Sequence, residues 1–374
     1  MKIAYVITRA DAVGGASIHV RDLARAMLDR GHEARVFFGG EGPVAEQMAR
    51  SGVPFQTLRF LRRPIHPLRD WRAIGELVKA LRDFRPNLVS THTAKAGWVG
   101  RAACARLGIP AIHTPHGWAI GARVATASSL VFAAAERIAA PWCHAIICVC
   151  EYERKLALEK KVAPPEQLHV VHNGVREIPP SQLAQTARTP ARICSVTRLE
   201  APKDPHTLLR ALAALPNREW TLDLVGHGPL DCELRRLAGE LGIASHVNFL
   251  GYQADTAEIL AQSQLFVLSS RSEALPRSVL EAMRAKLPVL AADVGGVREA
   301  VEHGKSGLLV PPGDVAALSA AIHNLLHDPT LRQRLAASGR LIYEKRFRLE
   351  RMIEDTETVY AAVLERTPPR RRTA

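Results

Sequence analysis

Short runs of β-branched and aliphatic residues alternate with longer stretches whose apolar positions recur every three or four residues. In the first half, the runs Lys2–Ile7, Ala34–Phe38, Leu88–Thr91, Ala111–His113 and Ala145–Val149 predict strands. Helical periodicity predicts helices over Ile18–Arg30, Asp70–Arg82, Trp98–Leu107 and Ser128–Ala140, the first stopping at Gly31. A second set follows. Its strands are Arg192–Val196, Thr221–Val225, Val247–Leu250, Leu265–Leu268, Val289–Ala291 and Gly307–Val310. Helices at Pro205–Ala214, Asp231–Leu241, Thr256–Gln262, Pro276–Ala285 and Val315–His327 separate them. Strand–helix alternation of this kind builds parallel sheets with helices on both faces. The polar, Pro-rich residues 179–190 divide the two sets, so the expected domains are 1–178 and 191–345 with a linker between. One more helix is expected over 349–365, followed by a disordered basic tail at 367–374.

The chain has 374 residues, enough for two units that each bury a core. Hydrophobic content is 47% and charged content 23%, ordinary for a globular protein, while aromatics are only 5%, so the cores must be aliphatic. The apolar start at Met1–Ile7 closes quickly on Arg9 and Asp11 and reads as a strand rather than a signal peptide. The longest uncharged apolar run, Ile138 to Cys150, is too short to span a bilayer. Six cysteines form no C-x-x-C pair, which points to buried thiols in a reducing cytoplasm. The formal charge of +13 is uneven: residues 1–178 hold 25 Lys/Arg against 15 Asp/Glu, and the remainder 25 against 22. A basic first half suits an acidic partner, whether an anionic membrane or a pyrophosphate-linked lipid. No nucleic-acid module is recognisable, and nucleic acid ranks last among acidic partners.

Candidate chemistry is densest from Ser269 to Gly313. Glu273 and Glu281 flank Pro276, a residue that fits a helix start because it lacks the N–H left unpaired there. The amides of Leu275, Arg277 and Ser278 then make an anion site at the head of the helix. One carboxylate stands ready for a sugar hydroxyl, and the other, a turn or two deeper, for a pair of ribose hydroxyls. Ser272-Glu273-Ala274-Leu275-Pro276 with Leu280-Glu281-Ala282 resembles the donor-site motif of retaining glycosyltransferases of family four, which have the GT-B fold. Ala274 stands in place of the family's usual glycine, and so does Lys286 ahead of the next strand.

Other segments carry the same resemblance. Arg198 and Lys203 in SVTRLEAPKDP are similar to the family's pair of diphosphate-binding cations, with Thr197 and Asp204 replacing two glycines. Fixed cations there would offset the charge that builds as the sugar leaves the diphosphate. Gly226 and Gly228 resemble the family's G-x-G-P turn on the donor side, and Tyr252 sits where the family reads the nucleotide base, though it could equally be a packing residue. Gly14 and Gly15, between strand and helix, resemble the glycine-rich loop that approaches donor phosphate or acceptor. His116 in HTPHGW resembles a histidine beside the donor sugar, with a loop histidine satisfied by backbone as the alternative. His92 and Lys95 in THTAKAG lie at a strand's carboxyl end, where open α/β sheets bind ligands, and could hold the acceptor. Asn173-Gly174-Val175 resembles an architectural turn, and Glu299 a neighbour of the site or a mere helix-start charge.

The resemblance implies two Rossmann-like domains facing an interdomain cleft, the last helix returning to the first domain. It implies a hexosyl-type transferase that is retaining and metal-independent: no Asp-x-Asp triplet or His-rich cluster is visible beside the site. The expected donor is a nucleotide sugar, UDP-linked rather than GDP-linked, with no cofactor. The expected acceptor is a lipid-linked saccharide of a bacterial surface polysaccharide. Rival readings are a transferase acting on a soluble small molecule or simple glycolipid, a sugar-nucleotide epimerase, and a non-catalytic sugar- or nucleotide-binding protein. The segment Arg59–Arg85 interleaves basic residues with Phe60, Leu61, Ile65, Leu68 and Trp71, which suits either an anionic membrane face or an ordinary solvated helix. A cytoplasmic protein, peripheral at the inner face of the membrane, is the corresponding expectation.

Overall fold

The computed structural model describes residues 1–11, 13–120 and 126–367. It forms two compact units: Met1–His172 with the chain from Met352, and Asn173–Arg351. The first unit holds β1 (Lys2–Arg9), β2 (Glu33–Gly39), β3 (Phe55–Leu58), β4 (Leu88–His92), β5 (Ala111–Thr114), β6 (Ala145–Cys148) and β7 (Leu168–Val170). They form one parallel sheet in the order β3-β2-β1-β4-β5-β6-β7. The strands β4, β5 and β6 are buried along their whole length, as a parallel sheet covered on both faces requires. Val6, Phe37, Leu77, Leu81, Val89, Val99 and Ile146 belong to the core on which the helices pack.

The second unit holds β8 (Ala191–Val196), β9 (Trp220–Val225), β10 (Val247–Gly251), β11 (Leu265–Leu268), β12 (Val289–Ala292) and β13 (Gly307–Val310). All its pairs are parallel, in the order β10-β9-β8-β11-β12-β13. Both sheets are therefore Rossmann-like. In each the strand order reverses beside the first strand, between β1 and β4 and between β8 and β11. The loops leaving the carboxyl ends of those neighbours diverge and open a crevice, the usual ligand position in such sheets.

Several expectations need correction. The chain passes between units after His172, not at 178, so the Asn173-Gly174-Val175 turn belongs to the second unit. Residues 179–190 are no free linker. Ala184 N–H donates to the Ala285 carbonyl at 2.8 Å, Thr186 is buried, and the fully buried Arg332 guanidinium donates to the Thr186 and Arg188 carbonyls. The strands β3 and β7 went unseen because they are four and three residues long, and three of the four β3 residues are exposed, leaving no apolar run. The helix Pro329–Arg346 was also missed. Its sequence is mostly basic and polar, and only a narrow stripe including Leu335, Ala336, Gly339 and Tyr343 is buried. The final helix runs Leu349–Arg366, and from Met352 it packs within the first unit, where Glu357 pairs with Arg30 and Tyr360 is buried. Apart from Thr367, the basic tail lies outside the described residues. The cysteines are unbridged, five of them buried and Cys232 exposed. Among the described residues, no helix is long and apolar enough to cross a membrane.

Candidate functional site

In the second unit the predicted donor residues gather on the loops after β8 and β11. The β8 loop carries Arg198 and Lys203, and the β11 loop carries Glu273. Lys203 Nζ donates to both oxygens of Glu273, at 2.7 and 2.8 Å. The pair is largely removed from water, with 18% of the lysine side chain and 7% of the glutamate side chain exposed. Arg198 is half exposed and pairs with Glu200 at 2.8 Å.

Further bonds lock the two loops together. Arg271 N–H donates to the Pro202 carbonyl at 2.9 Å, and Ser269 Oγ to the Asp204 carbonyl at 2.8 Å. The Asp204 carboxylate accepts from Arg271 Nε at 2.6 Å and from Thr207 Oγ1 at 2.7 Å, and caps the helix Pro205–Ala213. Its backbone is left-handed, with φ of +46°, which explains why the family favours glycine here and what aspartate adds in return. Lys286, another of the replacements, is likewise left-handed at φ +59°, but exposed.

Two predicted glycines are needed because backbone passes against them. A Cβ on Gly226 would lie 1.7 Å from the Thr197 carbonyl oxygen, at the root of the Arg198 loop, and one on Gly228 would lie 2.2 Å from the Leu199 oxygen. Gly295, in the segment after β12, plays the same part toward Glu273, whose carbonyl oxygen a Cβ would meet at 1.8 Å. Gly226 N–H also donates to the Gly251 carbonyl at 2.8 Å, bringing the turn beside Gly251 and Tyr252. Tyr252 is 47% exposed, just after the edge strand β10.

The helix after the β11 loop spans Arg277–Arg284, so Pro276 is its cap rather than its first residue. Its entry is fixed by the Asn173-Gly174 turn, which the sequence reads as architectural, and by the Arg277 side chain, whose part sequence reasoning missed. Asn173 Nδ2 donates to the Leu275 carbonyl at 2.9 Å, Arg277 Nη1 to the Gly174 carbonyl at 2.8 Å, and Gly296 N–H to the Ala274 carbonyl at 2.8 Å. These bonds hold the start of the helix in place, where its first-turn amides lack intrahelical partners. Glu281 stands one turn along this helix and is part exposed.

In the first unit, Gly14 caps the helix Gly15–Asp29, with its N–H held by Ser17 Oγ at 2.9 Å. His92 ends β4, paired in register with Ile7 of β1, so the crevice residues leave adjacent strands. Lys95 is ion-paired with Asp70 and only 12% exposed. His116 has φ of +55°, a region sparse for non-glycine residues and often found at functional positions. The buried Glu153 holds its turn: the carboxylate accepts from Gly117 N–H at 2.6 Å and from Val149 N–H at 2.9 Å. His116 Nε2 lies 2.9 Å from His92 Nδ1, and His19 packs edge-on to His116 with ring centroids 4.7 Å apart. Burial, reinforced by the neighbouring histidines, pushes His92 well below its ordinary pKa, so it is neutral at pH 7. No motif flagged His19, because nearly a hundred residues separate it from His116 and only the fold joins them.

A pair of Rossmann-like parallel-sheet units, one with cations, a carboxylate and a helix start at its strand reversal, is the make-up of a GT-B glycosyltransferase. The family profile described as "Glycosyl transferases group 1" matches residues 182–341, and that described as "Glycosyltransferase Family 4" matches residues 13–177. A D-inositol 3-phosphate glycosyltransferase of Acidothermus cellulolyticus is 30% identical, the match covering 94% of this chain and 86% of that protein. A UDP-Gal:alpha-D-GlcNAc-diphosphoundecaprenol alpha-1,3-galactosyltransferase of Escherichia coli is 25% identical over 78% of this chain and 79% of its own. Among solved structures, HepE of Anabaena, crystallised with UDP and glucose, superposes with a TM-score of 0.84 at 23% identity, covering 97% of this chain and all of that one. The chain belongs to the family 4 glycosyltransferases.

Proposed function

We propose that this glycosyltransferase moves a hexose-type sugar from a nucleotide diphosphate, UDP in preference to GDP, onto a lipid-linked saccharide of a surface polysaccharide, with retention at the anomeric carbon. The observation that carries the donor reading is the Lys203–Glu273 pair at the reversal between β8 and β11, beside the Arg277 helix start. The donor diphosphate would lie against those first-turn amides, with Arg198 and Lys203 turning onto it. Glu273 would take hydroxyls of the donor sugar, Glu281 those of the ribose, and Tyr252 the base. The cations and the helix start supply the charge that a metal would otherwise provide. His116 would position the sugar, and His92 and Lys95 the acceptor. The bond from C1 to the diphosphate breaks while the acceptor oxygen bonds C1 from the same face, and the acceptor's proton passes to a departing phosphate oxygen.

Relatives and fold neighbours support this choice of substrates. The Escherichia coli relative is named for a diphosphoundecaprenol-linked acceptor and a UDP-galactose donor, and HepE was also crystallised with UDP-glucose. A membrane-bound acceptor also suits the surface near the helix Pro67–Phe84. There Ile65, Leu68 and Trp71 are 75%, 70% and 65% exposed, among the exposed Arg62, Arg63 and Arg72. That face would dock on anionic lipid at the inner leaflet.

The test is a panel of nucleotide sugars screened for protection against melting, followed by transfer of labelled sugar to lipid-linked saccharide in the presence of EDTA. UDP-sugar protection and an α-configured product from an α-configured donor are expected. A donor isomerised without transfer would establish the epimerase reading instead, and binding without any turnover the non-catalytic one.

A further inference from the structure

We propose that His19, His92 and His116 bind one borderline transition-metal ion, of the Zn2+ class, through three imidazole nitrogens, and that its occupancy inhibits sugar transfer. The binding claim rests on the cluster alone. The inhibition rests on the role given above to His116.

The three side chains come from the helix Gly15–Asp29, the end of β4 and the turn after β5, and their ligand nitrogens all lie within 4.8 Å of one another. It is the one such group of metal-ligating side chains found among the described residues. Tetrahedral zinc–imidazole bonds of about 2.0–2.1 Å place ligand nitrogens roughly 3.3 Å apart. The separation of 2.9 Å between His92 Nδ1 and His116 Nε2 therefore needs only a slight opening, and His19 a small approach. The cluster has the backing that histidine ligands use. His92 Nε2 lies 3.0 Å from the buried Ser90 hydroxyl, which occupies that nitrogen and leaves Nδ1 facing His116. His19 and His92 are buried, and His116 is held in a left-handed turn by the Glu153 carboxylate, so the rings are fixed before any ion arrives. Three imidazoles without a carboxylate favour zinc, cobalt, nickel or copper over magnesium or calcium. Three ligands also leave a coordination position open. An ion here would draw the His116 ring from the donor sugar.

The experiment uses the full chain stripped with EDTA. Calorimetric titration with ZnCl2 should give one ion per chain with a Kd of about 10 μM or tighter. Long-range proton–nitrogen NMR of the unaltered protein should show three histidine rings shifting together, a readout that needs no variant to fold. His19→Ala should weaken binding more than tenfold, and Ser90→Ala by about tenfold without removing a ligand. The His323–His327 pair, half-buried at His323 and exposed at His327, with centroids 4.2 Å apart, is the rival two-ligand site, and His323→Ala should leave the affinity unchanged. Zinc should then inhibit transfer in the unaltered protein and less in His19→Ala. No binding at ~1 mM zinc, shifts confined to His323 and His327, or equal affinity in His19→Ala would overturn the site. Binding without inhibition would leave the site standing and remove His116 from the donor sugar.

Discussion

Replacing Lys203 by Met should destabilise the second unit far more than an ordinary surface lysine would. The lysine donates to both oxygens of Glu273, whose side chain is 7% exposed. Without the ammonium, that carboxylate keeps its burial and loses its counterion. Breaking such a pair by removing one partner costs about 3–5 kcal/mol, against roughly 0–1 kcal/mol for a solvated pair. Lys203 retains some exposure, so the expectation is about 3 kcal/mol, more than a hundredfold in the folding equilibrium. Removing both ends with Lys203→Met and Glu273→Leu should recover most of the loss, because no buried charge remains.

The assay is urea unfolding of the two single variants and the double variant, closed as a thermodynamic cycle. Trp220, buried and the one tryptophan of the second unit, labelled with 5-fluorotryptophan, reports on that unit separately by fluorine NMR. A coupling of about 2 kcal/mol or more is expected. In parallel, Lys203→Met should lower kcat for sugar transfer more than it raises KM, because the cation matters most when charge reaches the diphosphate. A loss under ~1 kcal/mol that simply adds to the Glu273 variant would refute the reasoning. The two loops would then be joined only by the bonds of Asp204, Ser269 and Arg271.

Glu281→Ala should weaken UDP binding by about tenfold or more in calorimetric titration, with an unchanged melting temperature, and equal affinity would remove it from the ribose site. Lys286→Gly should stabilise the protein by ~0.5–1 kcal/mol in chemical denaturation, because an exposed non-glycine residue now holds a left-handed backbone there. Arg332→Met should cost at least ~3 kcal/mol, since one fully buried guanidinium satisfies carbonyls of Thr186, Arg188, Leu325 and Leu326. Hydrogen exchange should then show residues 184–188 opening first. Unchanged protection there would mean that the segment is held by other contacts.

The meeting of the β8 and β11 loops was legible in the sequence because the residues that join them sit in two short segments, each directly after a strand. Composition at such a loop is dictated locally. Cations follow β8, a carboxylate follows β11, and glycines stand where backbone crosses backbone. The left-handed backbone at Asp204 and Lys286 shows why glycine is usual at two of the four positions where the residues depart from the family pattern. The bonds that aim the helix were not legible, because Asn173 and Arg277 act on carbonyls, and a carbonyl leaves no mark in a sequence. The segment 179–190 misled for a related reason: it reads as a polar linker, while its partner is a single arginine in a helix that was itself too basic to be seen.

The histidine cluster lies at the far limit of legibility. His92 at a strand end and His116 in a loop are separate candidates in the sequence and His19 looks like an isolated helix histidine, and the parallel register that joins β1, β4 and β5 is what brings them together. Such a site is not coded by spacing but by strand order, since a doubly wound sheet delivers the ends of β1 and β4 to one place. The same rule places Lys203 beside Glu273 in the second sheet. Both constellations therefore follow from a single topological fact, and chemistry should be sought at the strand reversal of each sheet even where no local motif points to it.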